Sequence, residues 1–257
     1  MTLEGKTAVV TGGARGIGFA TAAALMREGA RVLLVGRGAE ALEEAARSLG
    51  SSTEIVAQVA DVSRSEDVEA YVAAALRRFG SIDILFNNAG IEGAIAPLAE
   101  YPIDEFDRVI AINLRGVFLG LRHVLPVMLA KGSGSIVNTG SITSEIGLPA
   151  SSAYIAAKHA VLGLTRAAAA DLAGSGVRVN AVLPGMVDTQ LLRSVLSQVA
   201  GGDVEGGMQF AAGVAPQRRV AASEEIAEVV VFLASDAASF VNGVGWPVDG
   251  GALAVRA

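Results

Sequence analysis

Short runs of β-branched and aliphatic residues recur along the chain, separated by longer stretches whose apolar positions fall at helical spacing. Runs of this length read as strands buried on both faces, and their alternation with helical segments builds β-α units that close a parallel sheet. The runs are Thr7 to Thr11, Arg31 to Val35, Glu54 to Val59, Ile82 to Phe86, Gly134 to Asn138, Arg178 to Leu183 and Gly245 to Val248. The pattern predicts an α/β fold, a doubly wound parallel seven-stranded sheet with helices on both faces, in a single domain over residues 1–257. Ligands on such a sheet bind at the carboxyl ends of the strands, so chemistry belongs in the strand-to-helix loops. One interval breaks the alternation: residues 187–220 carry the pairs Gly201-Gly202 and Gly206-Gly207 and Pro216, and are too long for a plain connection. This interval reads as a substrate lid, or else as a disordered linker.

Composition narrows the picture. The 257 residues are 52% hydrophobic and 18% charged, enough apolar material for a full core. The net charge of -6 and a pI near 5.0 give no electrostatic reason to expect nucleic acid or an anionic membrane as partner. The absence of cysteine excludes disulfides, thiolate nucleophiles and Cys-ligated zinc, and fits a reducing cytoplasm. His123 and His159 have no partner at metal-ligand spacing, so neither a metal site nor a Ser-His-Asp triad is expected. The start, Met1 to Lys6, lacks signal-peptide features, and Gly, Pro or a charge interrupts every apolar run before the ~18 residues of a membrane helix. A soluble cytoplasmic protein is expected. Mean hydropathy of +0.50 is nonetheless high for a soluble monomer. The stretch Ala156 to Leu172 is apolar around most of its circumference, so a second copy of the chain is expected to cover part of it. Phe232, Phe240 and Trp246 read as core or interface.

The first run ends in Thr11-Gly12-Gly13-Ala14-Arg15-Gly16-Ile17-Gly18, and a helical pattern follows at once. Glycines there let the backbone turn tightly and approach a pyrophosphate, whose charge the helix start favours. The spacing differs from the common Gly-x-Gly-x-x-Gly, and a plain turn is the other reading. After the second run, where an acidic side chain would bind the ribose hydroxyls of NAD, stand Gly36 and Arg37. A guanidinium without a carboxylate beside it favours NADP(H) over NAD(H), with Arg15 as a second cation; the other reading leaves Arg37 facing water beside Glu40. Asp61-Val62 and Asn87-Asn88-Ala89-Gly90 follow the third and fourth runs. Small residues in the latter let the chain pass close to a flat ligand, and Asp61 offers an acceptor to an adenine amino group or, alternatively, forms an Asx turn.

Tyr154 and Lys158 stand four apart, on one face of a helix. At about 4 Å and an effective dielectric near 20, the ammonium favours a phenolate by roughly 4 kcal/mol, an upper bound near three pKa units before desolvation opposes it. Such a phenol is a general acid or base. Thr11-Gly12-x3-Gly16-x-Gly18, Asn87-Asn88-Ala89-Gly90, Asn113, Ser141, Tyr154-x3-Lys158, Pro184-Gly185 and the terminal Pro247-Val248-Asp249-Gly250-Gly251, in this order, resemble the short-chain dehydrogenase/reductase family over essentially the whole chain. The resemblance implies a Rossmann-type fold, a homotetramer and hydride exchange with a nicotinamide. It implies that Tyr154 transfers a proton to or from the substrate oxygen, Ser141 hydrogen-bonds that oxygen, Lys158 acidifies the phenol and binds ribose, and Asn113 holds a water linking Lys158 to solvent. It also assigns Gly12, Arg15, Gly16, Ile17, Gly18, Asp61, Val62, Asn88, Ala89 and Gly90 to the cofactor, with Pro184, Gly185, Val187 and Thr189 at its nicotinamide end.

Gly90-Ile91-Glu92-Gly93, the run Glu105 to Leu121 and the long lid resemble, within that family, the levodione reductases and cyclohexanol dehydrogenases. Those relatives often favour NAD, from which Gly36-Arg37 departs. Substrate contacts are expected from Ile91, Glu92, Ile142, Thr143, Glu145, Ile146 and Met186, with Gly147 and Pro149 beside them. Most are apolar and none is cationic, which favours a neutral, fairly hydrophobic ketone or secondary alcohol. Glu92 and Glu145 either bind a polar substituent or are solvated loop charges. A 3-oxoacyl carrier-protein reductase and a non-catalytic redox sensor are the rival readings.

Overall fold

A computed structural model describes residues 2–50 and 54–255; Met1 of the leader reading lies outside them. Seven strands form one parallel sheet: β1 (Thr7–Thr11), β2 (Arg31–Gly36), β3 (Ile55–Val59), β4 (Ile84–Asn87), β5 (Gly134–Thr139), β6 (Val177–Pro184) and β7 (Gly245–Val248). Their order is β3-β2-β1-β4-β5-β6-β7, with Thr7 opposite Arg31 and Ala8 opposite Ile84. The order reverses between β1 and β4. Crossovers leave in opposite directions there, which opens a crevice at the carboxyl edge of the sheet.

The central strands are buried on both faces, which is why they read as continuous apolar runs. On one face Val10, Leu34 and Phe86 pack with α1 (Gly16–Arg27), α2 (Ala39–Leu49) and α9 (Ser223–Ala234) through Leu25, Leu42 and Val230. On the other, Val9, Leu33, Leu85 and Ile136 pack with α3 (Ser65–Phe79), α5 (Gly116–Lys131) and α6 (Ser152–Asp171) through Tyr71, Met128 and Val161. Both faces are therefore cores, and the polar work is confined to the sheet edges.

The helix α4 (Ile103–Ile110) runs through a π-helical turn, Ala111–Arg115, directly into α5. This 29-residue stretch is long and apolar enough by length and composition to cross a membrane, against the expectation that Gly and Pro would interrupt every such run. Half of its apolar window is buried against the fold, as in a core helix. Within 187–220 the chain forms two helices, α7 (Gln190–Val199) and α8 (Val204–Val214), rather than an unstructured linker. Thr189 and Asp203 cap them by accepting from Leu192 N and Gly206 N. Phe232 meets Trp246 edge to face at 5.4 Å, whereas Phe240 is fully exposed on the single chain, so it belongs to no core.

Candidate active site

The glycine turn is shaped by backbone demands. Gly12 and Gly16 adopt φ of +65° and +51°, in the left-handed region, and a Cβ on Gly18 would lie 2.2 Å from the Gly12 carbonyl oxygen. The first turn of α1 has no capping side chain and no acidic residue. Its amide N–H groups and the positive end of the helix are directed at the β1–β4 crevice, a donor set suited to a pyrophosphate. Asn88 braces the turn: its Nδ2 donates to Thr11 O at 3.1 Å, while Thr11 Oγ1 accepts from the N–H groups of Asn88 at 2.9 Å and Ala89 at 3.1 Å. The side chains of Thr11 and Asn88 thus hold the cradle in shape. Ile17 and Val62 pack beside it, Val62 8% exposed and close against Gly116.

Arg37 is exposed at the mouth of β2, next to Gly36. Asp61, at the end of β3, accepts on Oδ1 from Ser63 N at 2.9 Å and Ser63 Oγ at 2.7 Å, so the Asx turn is present. Burial pushes the Asp61 carboxyl up, but the Ser63 hydrogen bonds and the charges of Arg37 and Arg64 outweigh it and hold the group below its ordinary value. Arg15 Nη1 donates to Gln190 Oε1 at 2.6 Å, tying the glycine turn to α7, and Thr189 lies against Gly16. Pro184 and Gly185 end β6, where Gly185 N donates to Val248 O at 3.1 Å, and buried Val187 bridges to Ala221.

Past Gly90 the chain is clamped by Asn113. Its Oδ1 accepts from Ile91 N at 2.9 Å and its Nδ2 donates to Ile91 O at 2.7 Å. Both ends of the amide engage this clamp. The π-helical turn around Asn113 is the local distortion that accompanies this inward-facing amide.

Ser141 begins a single 3-10 turn, Ile142–Ser144, after β5. Ser144, which sequence reasoning passed over, accepts from Ser141 N at 3.2 Å and donates to Lys158 O at 2.8 Å, fastening this turn to α6. Ser141 Oγ accepts from Thr143 N at 3.2 Å, and its hydroxyl lies near that of Tyr154 and favours the phenolate. Lys158 is 4% exposed; its Nζ donates to Thr139 O at 2.7 Å and lies 5.4 Å from the centre of the Tyr154 ring. A ladder missed in the sequence supports this wall: Asn87 Nδ2 donates to Asn138 Oδ1, Asn138 Nδ2 to Thr165 Oγ1, and Thr165 to Val161 O.

Burial is the largest influence on the charges of this wall. Burial pushes the Tyr154 phenol well above its ordinary value, the Glu92 carboxylate adds to the rise, and the Ser141 hydrogen bond opposes it. Burial brings Lys158 down to about 8, with Glu92 opposing. The ammonium lies 5.4 Å from the ring centre, and desolvation is the largest influence on the phenol in the protein alone. Glu92 is itself displaced upward by burial, against a hydrogen bond from Ser151 and the charge of Lys158.

Around this wall lie Ile142 and Thr143, both buried, Thr143 with an Oγ1 that has no partner among the described residues, together with half-buried Ile91, Glu92 and Met186. Glu145, Ile146, Gly147 and Pro149 are exposed at the rim. Asn113, Ser141, Tyr154 and Lys158 therefore converge on the carboxyl edge, while Arg37 and Asp61 lie toward the opposite end of the crevice.

A family model described as enoyl-(acyl carrier protein) reductase matches residues 12–252, from the glycine turn through the catalytic wall to the end of the sheet. The chain belongs to the short-chain dehydrogenase/reductase family. This short-chain dehydrogenase/reductase is 44% identical over 249 residues to levodione reductase of Leifsonia aquatica, covering 96% of this chain and 93% of that protein. It is 46% identical over 251 residues to cis-4-hydroxycyclohexanecarboxylate dehydrogenase of Sinomonas cyclohexanicum, covering 97% of each. A crystal structure of levodione reductase superposes with a TM-score of 0.96 at 42% identity, over 98% of this chain and all of that one. That of an NAD+-bound xylitol dehydrogenase does so with a TM-score of 0.93 at 38% identity and the same coverage. As a member of this family the protein is an oxidoreductase acting on CH–OH groups with an NAD(P) cofactor. The glycine turn and uncapped start of α1 fit the pyrophosphate of that cofactor.

Proposed function

We propose that the chain is a carbonyl reductase and secondary alcohol dehydrogenase for neutral, fairly hydrophobic ketones and alcohols, preferring NADP(H) to NAD(H). The observation that carries the reaction is the wall that brings the Ser141 and Tyr154 hydroxyls together, with Lys158 Nζ 5.4 Å from the Tyr154 ring centre. When bound, the nicotinamide gives or takes the hydride. In reduction Tyr154 Oη supplies the proton to the ketone oxygen; burial keeps that proton on the phenol at neutral pH, the state a general acid needs. Ser141 Oγ donates to the same oxygen as negative charge develops there. Lys158, held by Thr139 O, places its ammonium where a ribose hydroxyl would lie beside the phenol. Asn113 acts through the backbone of Ile91, shaping the wall.

We assign Gly12, Arg15, Gly16, Ile17, Gly18, Val62, Asn88, Ala89 and Gly90 to the dinucleotide, with Pro184, Gly185, Val187 and Thr189 at its nicotinamide end. The preference for NADP(H) is supported by Arg37, exposed at the mouth of β2 near Asp61, whose Oδ1 already accepts from Ser63. Neutral substrates are favoured because residues 91–100 and 142–150, which line the rim, contain Glu92, Glu100 and Glu145 but no Lys or Arg. A carrier-protein substrate, as the family model's description would have it, needs a cation for its phosphopantetheine. We further propose that α7 and α8 act as the lid, their exposed Leu191, Val199 and Phe210 meeting substrate or a neighbour. Phe118 and Leu129 on α5, with Phe240 and Trp246, support a homotetramer. The lack of cysteine supports a cytoplasmic location.

Initial rates with NADPH and NADH on cyclic and aryl ketones and on acetoacetyl thioesters test this reading. Turnover of neutral ketones with NADPH ahead of NADH is expected. Activity confined to thioesters, or cofactor binding with no turnover on any of them, would overturn it.

A further inference from the structure

We infer that Glu92 is a positioning residue that holds the working charge state of the Tyr154–Lys158 pair, its carboxylate standing at the head of the helix that carries both. This rests on the proposed acid–base role of Tyr154. The placement of Glu92 is built, not incidental. The segment that bears it is pinned on one side by the Asn113 amide on Ile91, and on the other by Ala96 N, which donates to Ala150 O at 3.0 Å. Ala150 adopts φ +63°, in the left-handed region that favours glycine, immediately before the start of α6. Gly93, at φ +89°, closes the loop against Val109 and Tyr101, where any Cβ would clash. Ile91 packs against the cluster of Val109 with Ala153 and Ala157, the latter two flanking Tyr154 and Lys158 on α6.

Ser151 occupies the cap position of α6 but its side chain does not cap the helix; it lies near Glu92 and favours the ionised carboxyl. The carboxylate thus lies at the positive end of α6, one turn before Tyr154 and two before Lys158. The charged and titratable groups facing it are Tyr154 and Lys158 on α6 and Tyr101 on the following loop; Glu105 and Arg108 of α4 lie near Tyr101 and pair with each other at 2.7 Å. An ionised Glu92 makes a phenolate less favourable and an ammonium more favourable, so it raises the values of both members of the pair together. A carboxylate that only touched substrate would act on binding and leave the ionisations of the enzyme in place.

The test is the pH dependence of kcat/KM for alcohol oxidation at saturating cofactor, in wild type and in Glu92→Gln, Glu92→Asp and Ser151→Ala. Loss of the charge in Glu92→Gln is expected to move the acidic and alkaline limbs to lower pH together by about one unit, a roughly tenfold change in rate on the acidic limb. Glu92→Asp, which keeps the charge, restores the wild-type position. Ser151→Ala, which removes the hydrogen bond favouring the ionised carboxyl, shifts the limbs the same way by less and serves if Glu92→Gln does not fold. Limbs that stay in place while KM for the alcohol rises overturn the inference and leave the acid–base reading of Tyr154 standing. Turnover surviving in Tyr154→Phe defeats that underlying reading instead.

Discussion

Gly18→Ala isolates the cofactor cradle from the chemistry. The added methyl would lie 2.2 Å from the Gly12 carbonyl oxygen and 2.7 Å from Asn88 Nδ2, both parts of the turn itself. Contacts between such atoms settle at about 3.5 Å, so the turn must give way by about 1 Å. Overpacking of this kind costs about 1–3 kcal/mol, against a total stability of about 5–15 kcal/mol, so the variant stays folded. The displaced amide N–H groups lose their aim at the pyrophosphate. One lost hydrogen bond to a charged group is worth about 1.5–3 kcal/mol, or roughly 10- to 150-fold in affinity. Titration of the dinucleotide by fluorescence, with circular dichroism to verify folding, measures the effect. Gly163→Ala, on a helix surface where the new methyl meets nothing within 4 Å, is the control and should bind as wild type. A folded Gly18→Ala that binds within threefold of wild type would refute the cradle.

Arg37→Ala should lower kcat/KM for NADPH by about tenfold or more while NADH changes little, because only the former offers a phosphate to the guanidinium; equal losses with both cofactors, read from initial rates, would return Arg37 to the solvent. Ser144→Ala removes the hydroxyl that joins the Ser141 turn to Lys158 O. It should cost about 1–3 kcal/mol in denaturant unfolding and lower kcat several-fold with cofactor affinity retained, and an unchanged kcat would show that this fastening plays no part in placing Ser141.

The central strands were legible in the chain because each is a short β-branched or aliphatic run buried on both faces, and β7 carries the same bounds in sequence and structure. Boundaries shifted where a polar residue continues the ladder, as at Asn87 and Thr139. The helix α8 was hidden by Gly206, Gly207 and Gly213, and the single helix from Ile103 to Lys131 by Gly116, Gly120 and Pro126. Local propensity disfavours each of these residues, while packing on the sheet supplies the missing stability. Order and spacing brought out Ser141, Tyr154 and Lys158. What they could not give is which partner each polar group chooses: Asn113 spends its amide on Ile91, Asn88 on Thr11, and Ser144 its hydroxyl on Lys158 O. The phenol expected from a one-turn spacing to be acidified is instead dominated by burial, which only the packed structure reveals.

The proton carried by Tyr154 is the centre of this account, and Tyr154→Phe measures it most directly. Removing one hydroxyl should cut ketone reduction by about 10²- to 10⁴-fold, while dinucleotide affinity and the unfolding midpoint stay near wild type. A variant that reduces ketones at the wild-type rate would contradict the account.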